Sequence, residues 1–305
     1  MKNYFRFGCF LVVCLATGWL MLRMALPEKK STVANSPVRI ASWASVTRNA
    51  RADWLGASGN LRAIIATPQF AKAQPQLMKL LPDEALENSG LYQLNFRTPD
   101  GEPLLFFSLV PFREKKSKNF RGYYMGSWPR ESNGAVQLPD GFIEVTAENQ
   151  FTPVSKHFKL RDFLPHDQAE VWPKFMVLNT SLLDKLELIA NELEREKKPS
   201  RFHIMSGFRT PQYNAEGVGK GRANNSQHIY GNAADIYIDA DGDNRMDDLD
   251  GDGESTTDDA RYLFAIAEKI ETQYPELAGG LSVYRATSAR GAFVHIDVRG
   301  APVRW

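Results

Sequence analysis

Cysteine is almost missing from this 305-residue chain: there are two, Cys9 and Cys14, both inside an apolar stretch at the N-terminus. That excludes a disulfide framework for the rest of the chain, and with it a cysteine nucleophile or a cysteine-ligated zinc. Histidine is scarce too. The five are His157, His166, His203, His228 and His295, so any metal site with nitrogen ligands must draw on them. Neither charge sign is in excess, since 37 basic and 36 acidic residues leave a net charge of +1. The basic excess that marks a nucleic-acid binder is absent. What is present is ordinary for a folded protein: 43% hydrophobic and 24% charged residues, enough for one large or two modest domains. No internal repeat of 20 residues or more is found.

The N-terminus stands apart. Lys2 and Arg6 precede an apolar run from Phe7 to Leu22, which Arg23 ends. The run is shorter than the ~20 residues that span a bilayer, as in a secretory signal. Yet no small-x-small cleavage site follows Leu22; Ala16-Thr17-Gly18 lies inside the run, and Val13 is too large for a lipoprotein box at Cys14. The segment 1–28 is therefore expected to be an uncleaved anchor over residues 7–26, with a cleaved signal peptide as the alternative. Either way the bulk of the chain is exported to the periplasm or beyond, and held at the inner membrane if the segment stays.

Residues 29–88 read as a linker or lead-in, with helical patches broken by Pro68, Pro75 and Pro82. Residues 89–150 read as a small β-rich accessory domain: "LYQLNF" and "GFIEVT" alternate, "PLLFFSLVPF" is a buried run, and Asp100-Gly101 and Asp140-Gly141 offer hairpin turns. Tyr123, Tyr124 and Trp128 could bind sugars, but aromatics are strand formers and core packing is the better reading. From 151 to 305 helices and strands mix. Leu182, Leu183, Leu186, Ile189 and Leu193 form the stripe of a helix over 180–196, capped by Asn179 or Thr180. "RFHIMSGFR" reads as a strand ending in a turn, 257–273 as a second helix, and "AFVHIDV" as a closing strand.

The chemistry concentrates in "SQHIYGNAADIYID", residues 226–239. From Asp235 the side chains alternate with the two-residue period of a strand, which places His228 on the loop before it. In "AFVHIDV", Ala292, Val294, Ile296 and Val298 face one way and Phe293, His295 and Asp297 the other. Two histidines and an aspartate on two strands and a loop suit a zinc site with one open position, with His228, Asp235 and His295 as ligands. His157, His166 and His203 are read as packed histidines.

The ordered pattern Ser226-x-His228-x-x-Gly231-x-Ala233-x-Asp235, the late His295-x-Asp297 and the upstream "SGFRTPQYN" at 206–214 resemble the zinc D-Ala-D-Ala carboxypeptidases and related murein endopeptidases. These share a superfamily with lysostaphin and the sonic hedgehog signalling domain. The resemblance covers roughly residues 150–305. It implies an α+β fold with an antiparallel sheet, zinc on His228, Asp235 and His295, and Arg209, with Ser226 beside it, binding the substrate through a carboxylate or carbonyl oxygen. The sequence departs from the family at the catalytic base. Where members carry a Glu three residues, or a His two residues, before the last histidine, Ala292 and Phe293 stand here. Asp297 is then the expected base, or a group that orients a ligand.

A second cluster is acidic. Residues 239–259 hold ten carboxylates and one basic residue, Arg245. Two overlapping frames match a calcium loop: Asp239, Asp241, Asp243, Asp247 and Asp250 in the first, and Asp248, Asp250, Asp252, Gly253 and Asp259 in the second. A strand precedes and a helix follows, so the expectation is an inserted structural calcium loop rather than an EF-hand.

The function expected from the whole is an exported zinc metallopeptidase that hydrolyses peptidoglycan stem peptides, with no nucleic-acid partner. The alternatives are a zinc-stabilised wall-binding module without turnover, and a calcium-dependent interaction protein in which the zinc is only structural.

Overall fold

The computed structural model describes residues 54–129, 138–219, 221–288 and 290–305. The N-terminal apolar run and the anchor expected over it lie outside these residues. Among the described residues no helix is long and apolar enough to cross a membrane.

The stretch expected to be a lead-in is folded from Trp54 onward. Strand β1 (Ala63–Ala66) is followed by three short helices, α1 (Pro68–Lys72), α2 (Pro75–Met78) and α3 (Glu84–Glu87). Pro68 and Pro75 start helices rather than break them. Each sits in a first turn, where a missing N–H costs nothing and the fixed φ already suits the helix. Thr67 caps α1 by accepting from the Phe70 N–H. β2 (Gly90–Arg97) and β3 (Pro103–Ser108) form the hairpin expected at Asp100-Gly101, and β1 joins β3 in parallel. The sheet therefore begins 26 residues before the expected boundary at 89. It has a core of its own, built on Trp54, Ile64, Leu77, Leu94, Leu104 and Phe106.

β4 (Val110–Pro111), a two-stranded ribbon of β5 (Asn119–Phe120) and β6 (Tyr123–Tyr124), and β7 (Gly141–Val145) follow. Asp140-Gly141 is not a hairpin turn. Gly141 opens β7, which pairs with Val110–Pro111 on one side and with β8 (Lys174–Met176) on the other. That second pairing crosses the expected division at 150. Tyr123 and Trp128 are buried, as the packing reading required, while Tyr124 is exposed and departs from it; the Trp128 indole N–H donates to the Ile229 carbonyl at 2.9 Å.

The larger sheet holds the chemistry. α4 (Thr180–Arg195) has the expected stripe, with Leu182, Leu183, Leu186, Ile189 and Leu193 fully buried and Asn179 capping the Ser181 N–H. Burial of each such side chain contributes roughly 1.5–3 kcal/mol, and this, more than intrinsic propensity, holds the helix. After it come β9 (Phe202–Ser206), the short α5 (Pro211–Ala215), β10 (Ala233–Ile238), α6 (Thr257–Gln273), β11 (Gly280–Tyr284), β12 (Phe293–Asp297) and β13 (Val303–Arg304). The sheet order is β13-β11-β12-β10-β9, antiparallel except for β13 on β11. α6 lies against β11 and β12, and α4 against α6. The mixed α+β class with an antiparallel sheet is the one expected.

Candidate metal centre and its cleft

Register brings the ligands together. Asp235 on β10 stands opposite His295 on β12, so both side chains leave the same face of neighbouring strands. On its other side Asp235 faces Ser206 of β9, where the pairing shifts in a bulge between Asp235 and Ile236. Such bulges re-aim the side chain beside them. His228 enters on a one-turn 3₁₀ helix, Gln227–Tyr230, which Ser226 caps through its hydroxyl and Gly231 ends in the left-handed region at φ 66°. A Cβ on Gly231 would also stand 2.3 Å from the Val177 carbonyl oxygen, so the turn needs glycine for both its dihedral and its space. One ligand atom from each of His228, Asp235 and His295 lies within 4.8 Å of the others, and all three residues are buried.

Outer partners decide which ring atoms are free. The His228 Nδ1 lies 2.7 Å from the Gly207 carbonyl oxygen, which can only accept. Nδ1 is therefore the protonated atom, and the Nε2 lone pair points at Asp235 Oδ1, 3.3 Å away. His295 mirrors this arrangement. Its Nε2 faces Asp297 at 3.2 Å and its Nδ1 faces the same Asp235 Oδ1 at 2.8 Å. Two imidazoles aimed at one carboxylate oxygen require a shared positive centre, a proton or a metal. The donor set, two nitrogens and a carboxylate with second partners fixing the rings, fits zinc. Burial opposes ionisation of Asp235, yet the His228 and His295 contacts hold its carboxyl well below the usual carboxylate range. Burial likewise pushes the His228 pKa down and keeps that ring neutral, the form a metal takes.

Asp297 does not stand where a base must. It lies on the Nε2 side of His295, and the ligand cluster lies on the Nδ1 side. It is fully buried, and its oxygens accept from the Gly280 N–H at 2.7 Å and from the Arg299 backbone and guanidinium. Burial alone would raise its pKa, but bonds from His295 and Arg299 hold it far below the ordinary value. Of the two roles expected for Asp297, base or orienting group, this placement behind His295 suits the second. Behind it again, buried Lys185 of α4 joins Glu271 of α6 at 2.5 Å and donates to the Asp297 carbonyl at 2.8 Å.

Arg209 is placed at the cluster. Its Nη2 lies 2.5 Å from Asp235 Oδ2 and its Nε donates to Ser206 Oγ at 2.8 Å. Ser226 lines the same cleft, where its hydroxyl serves first as the cap of the His228 turn. The cleft has a volume of about 650 Å³, within the usual range for ligand sites. Its walls include Tyr213, from the 206–214 motif, and groups with no motif to betray them: Arg222, Tyr284, Arg290, Arg299 and Trp305. Of the histidines expected to be packed, His203 stacks on Tyr237 at 4.6 Å and His157 bridges Glu187 and Glu194. His166 departs from that reading. It is exposed and lines the cleft, its Nε2 donating to the Met205 carbonyl at 2.8 Å.

The acidic loop divides into two carboxylate groups, Asp239 with Asp241 and Asp247, and Asp248 with Asp250 and Asp259. Asp250, shared by both sequence frames, joins the second group, while Asp243 and Asp252 belong to neither. The halves repeat each other. Asp239 accepts from the Gly242 and Asn244 N–H groups as Asp248 does from those of Gly251 and Gly253. Asn244 and Gly253, the sixth positions, are both left-handed.

Residues 156–247 match the family described as "Peptidase_M15_2: Peptidoglycan L,D-endopeptidase MepK". The match spans under a third of the chain, takes in Arg209, His228 and Asp235, and ends before His295. No curated protein and no solved structure matches the chain.

Proposed function

We propose, from the match of residues 156–247 to the M15 peptidase family, that the chain is an exported, zinc-dependent endopeptidase of peptidoglycan cross-links. The observation that carries the proposal is the convergence of His228 Nε2 and His295 Nδ1 on Asp235 Oδ1, with each imidazole's other nitrogen held by an outer partner. Zinc bound there would polarise the scissile carbonyl and acidify a water. The chain's own groups do the rest. Gly207 and Asp297 lock the two rings, and Arg209 holds the outer oxygen of Asp235 at the cleft floor. Proton transfer falls to His166, whose Nδ1 keeps its lone pair because Nε2 donates to Met205. His166→Gln should retain zinc and lower kcat by about 10²-fold or more; unchanged turnover removes His166 from the reaction.

The decisive experiment incubates the protein with intact sacculi, with and without a chelator, and weighs the released fragments. Conversion of cross-linked dimers to monomers, lost with chelator, is expected. Loss of single terminal residues would make it a carboxypeptidase. The absence of any carboxylate base among the described cleft residues favours one other reading, a wall-binding module; zinc-bound protein that pulls down sacculi and releases nothing would establish it. Export and anchoring by residues 7–26 are part of the proposal, and a cytosolic fraction holding the full-length chain would refute them. The acidic loop is proposed to take calcium as a structural ion, and a titration without heat would refute that.

A further inference from the structure

The cleft is lined by four arginines, and they divide in two. Arg209 and Arg299 are neutralised within the fold, by Asp235 at 2.5 Å and by Asp297. Arg222 and Arg290 have no carboxylate partner among the described residues, although both line the cleft. Each is instead laid on an aromatic ring. The Arg222 guanidinium carbon stands 4.3 Å from the Tyr213 ring centre, and that of Arg290 stands 4.5 Å from the Phe293 ring centre. An arginine stacked this way has lost conformational freedom but keeps the edge of its planar fork for a ligand. Arg222 also donates to the Tyr213 carbonyl, which pins one end of the fork.

The two lie on different flanks of the ligand cluster. Arg222 is close enough to Arg209, beyond the end of β9, for its charge to be felt there. Arg290 lies in the β11–β12 hairpin, three residues before Phe293. The sheet order places β9 on one side of the ligand-bearing pair β10 and β12, and β11 on the other. The sole side-chain carboxylate lining the cleft among the described residues, Asp235, is already engaged by Arg209 and both histidines. A cleft with an uncompensated cation on each flank and no free side-chain anion is built for a ligand that brings its own negative charges.

We propose that Arg222 and Arg290 are specificity-determining residues that each bind a free carboxylate of the substrate, so that the preferred substrate is a peptide with carboxylates on both sides of the bond cut. This rests on the peptidase reading above and deepens it. It predicts discrimination between peptides whose carboxylates are free and the same peptides with those carboxylates amidated, because an amide cannot accept a bidentate, charge-assisted pair.

The test uses the full chain loaded with zinc and a pair of synthetic cross-linked stem peptides, one with free carboxylates and one amidated. The parent should cleave the free form with a KM about tenfold or more below that of the amidated form. Arg222→Gln and Arg290→Gln should each raise KM for the free form by about that factor with kcat little changed, and should leave the amidated form unaffected. Arg222→Lys and Arg290→Lys should recover part of the loss, which a merely structural role would not show. Losses equal on both peptides, or no loss, overturn the proposal. If the parent cleaves neither peptide, calorimetric binding of the same pair decides. Binding of the free form that the glutamine variants lose sustains the carboxylate subsites while ending the peptidase reading; equal binding of both forms overturns the subsites.

Discussion

The buried triad and the acidic loop are both clusters of potential metal ligands, and they are held in opposite ways. His228, Asp235 and His295 are oriented from outside: by the Gly207 carbonyl, by Arg209, by Asp297, and at one remove by Lys185. The loop holds itself, its aspartates accepting from backbone N–H groups two to five residues ahead. The chemistry follows. Two nitrogens and a carboxylate in a buried site suit zinc, and all-oxygen groups that mix one buried aspartate with more accessible ones suit a larger, harder cation. One anchor outside the loop's own pattern is Asp259 of α6, which accepts from the Leu249 and Asp250 N–H groups.

The comparison breaks most visibly at Lys185. Lys185→Met removes one of the two cations on Glu271, leaving Arg304 at 2.5 Å, and takes the donor from the Asp297 carbonyl, so the protein should lose about 1 to 3 kcal/mol of stability. Urea unfolding measures this, and an unshifted midpoint would show that the support is dispensable. Next comes Asp297→Asn, which should weaken zinc binding about 10- to 100-fold in a chelator competition, as loss of an outer partner does. Asp243→Asn, in the loop, should leave zinc affinity alone. An Asp297→Asn protein that binds zinc normally but does not turn over would return Asp297 to the role of base.

A smaller effect tests the loop. Calcium at tenfold its dissociation constant should add about 1.4 kcal/mol to stability, seen as a melting temperature a few degrees higher. Asp241→Asn or Asp248→Asn should reduce that gain without touching zinc. A melt insensitive to millimolar calcium would leave the loop an acidic, solvated surface. The smallest effect lies outside both clusters and separates the pH response of the fold from that of the site. His157 has its pKa raised by the hydrogen bond to Glu187, against the opposing effect of burial. A raised folded-state pKa means that its contribution is complete below the ordinary value of ~6.5 and is lost as pH rises through the folded one. The melting temperature should therefore fall as pH is raised above ~6.5, and His157→Gln should flatten that slope. An equal slope in both proteins would assign the effect elsewhere.

Local order along the chain decided a good deal. The apolar stripe of α4, the cap at Asn179 and the strand alternation around Asp235 and His295 are short-range patterns, and each is found where the residues place it; the loop frames hold in part, since Asp243 and Asp252 stand outside both carboxylate groups. Proline misled at 68 and 75, because a residue that breaks a helix interior is well suited to a first turn and only the neighbours say which applies. The role of Asp297 was legible only by halves. Alternation put it on the His295 face, but which nitrogen it meets depends on the ring's rotation, and that is set by Asp235 across the strand pair.

Residue types at fixed short spacings were enough to single out His228, Asp235 and His295, the motif around Arg209 and the acidic run 239–259. Tertiary structure alone decided what surrounds them. Arg222, Arg290 and Trp305 reach one cleft from separate loops and the last strand, and Lys185 meets Glu271 from another helix. The Lys185–Glu271 pair joins residues 86 positions apart, through the packing of α4 against α6. Nothing local marks such a contact, because the free energy that forms it comes from burial of surfaces the chain brings together only when folded.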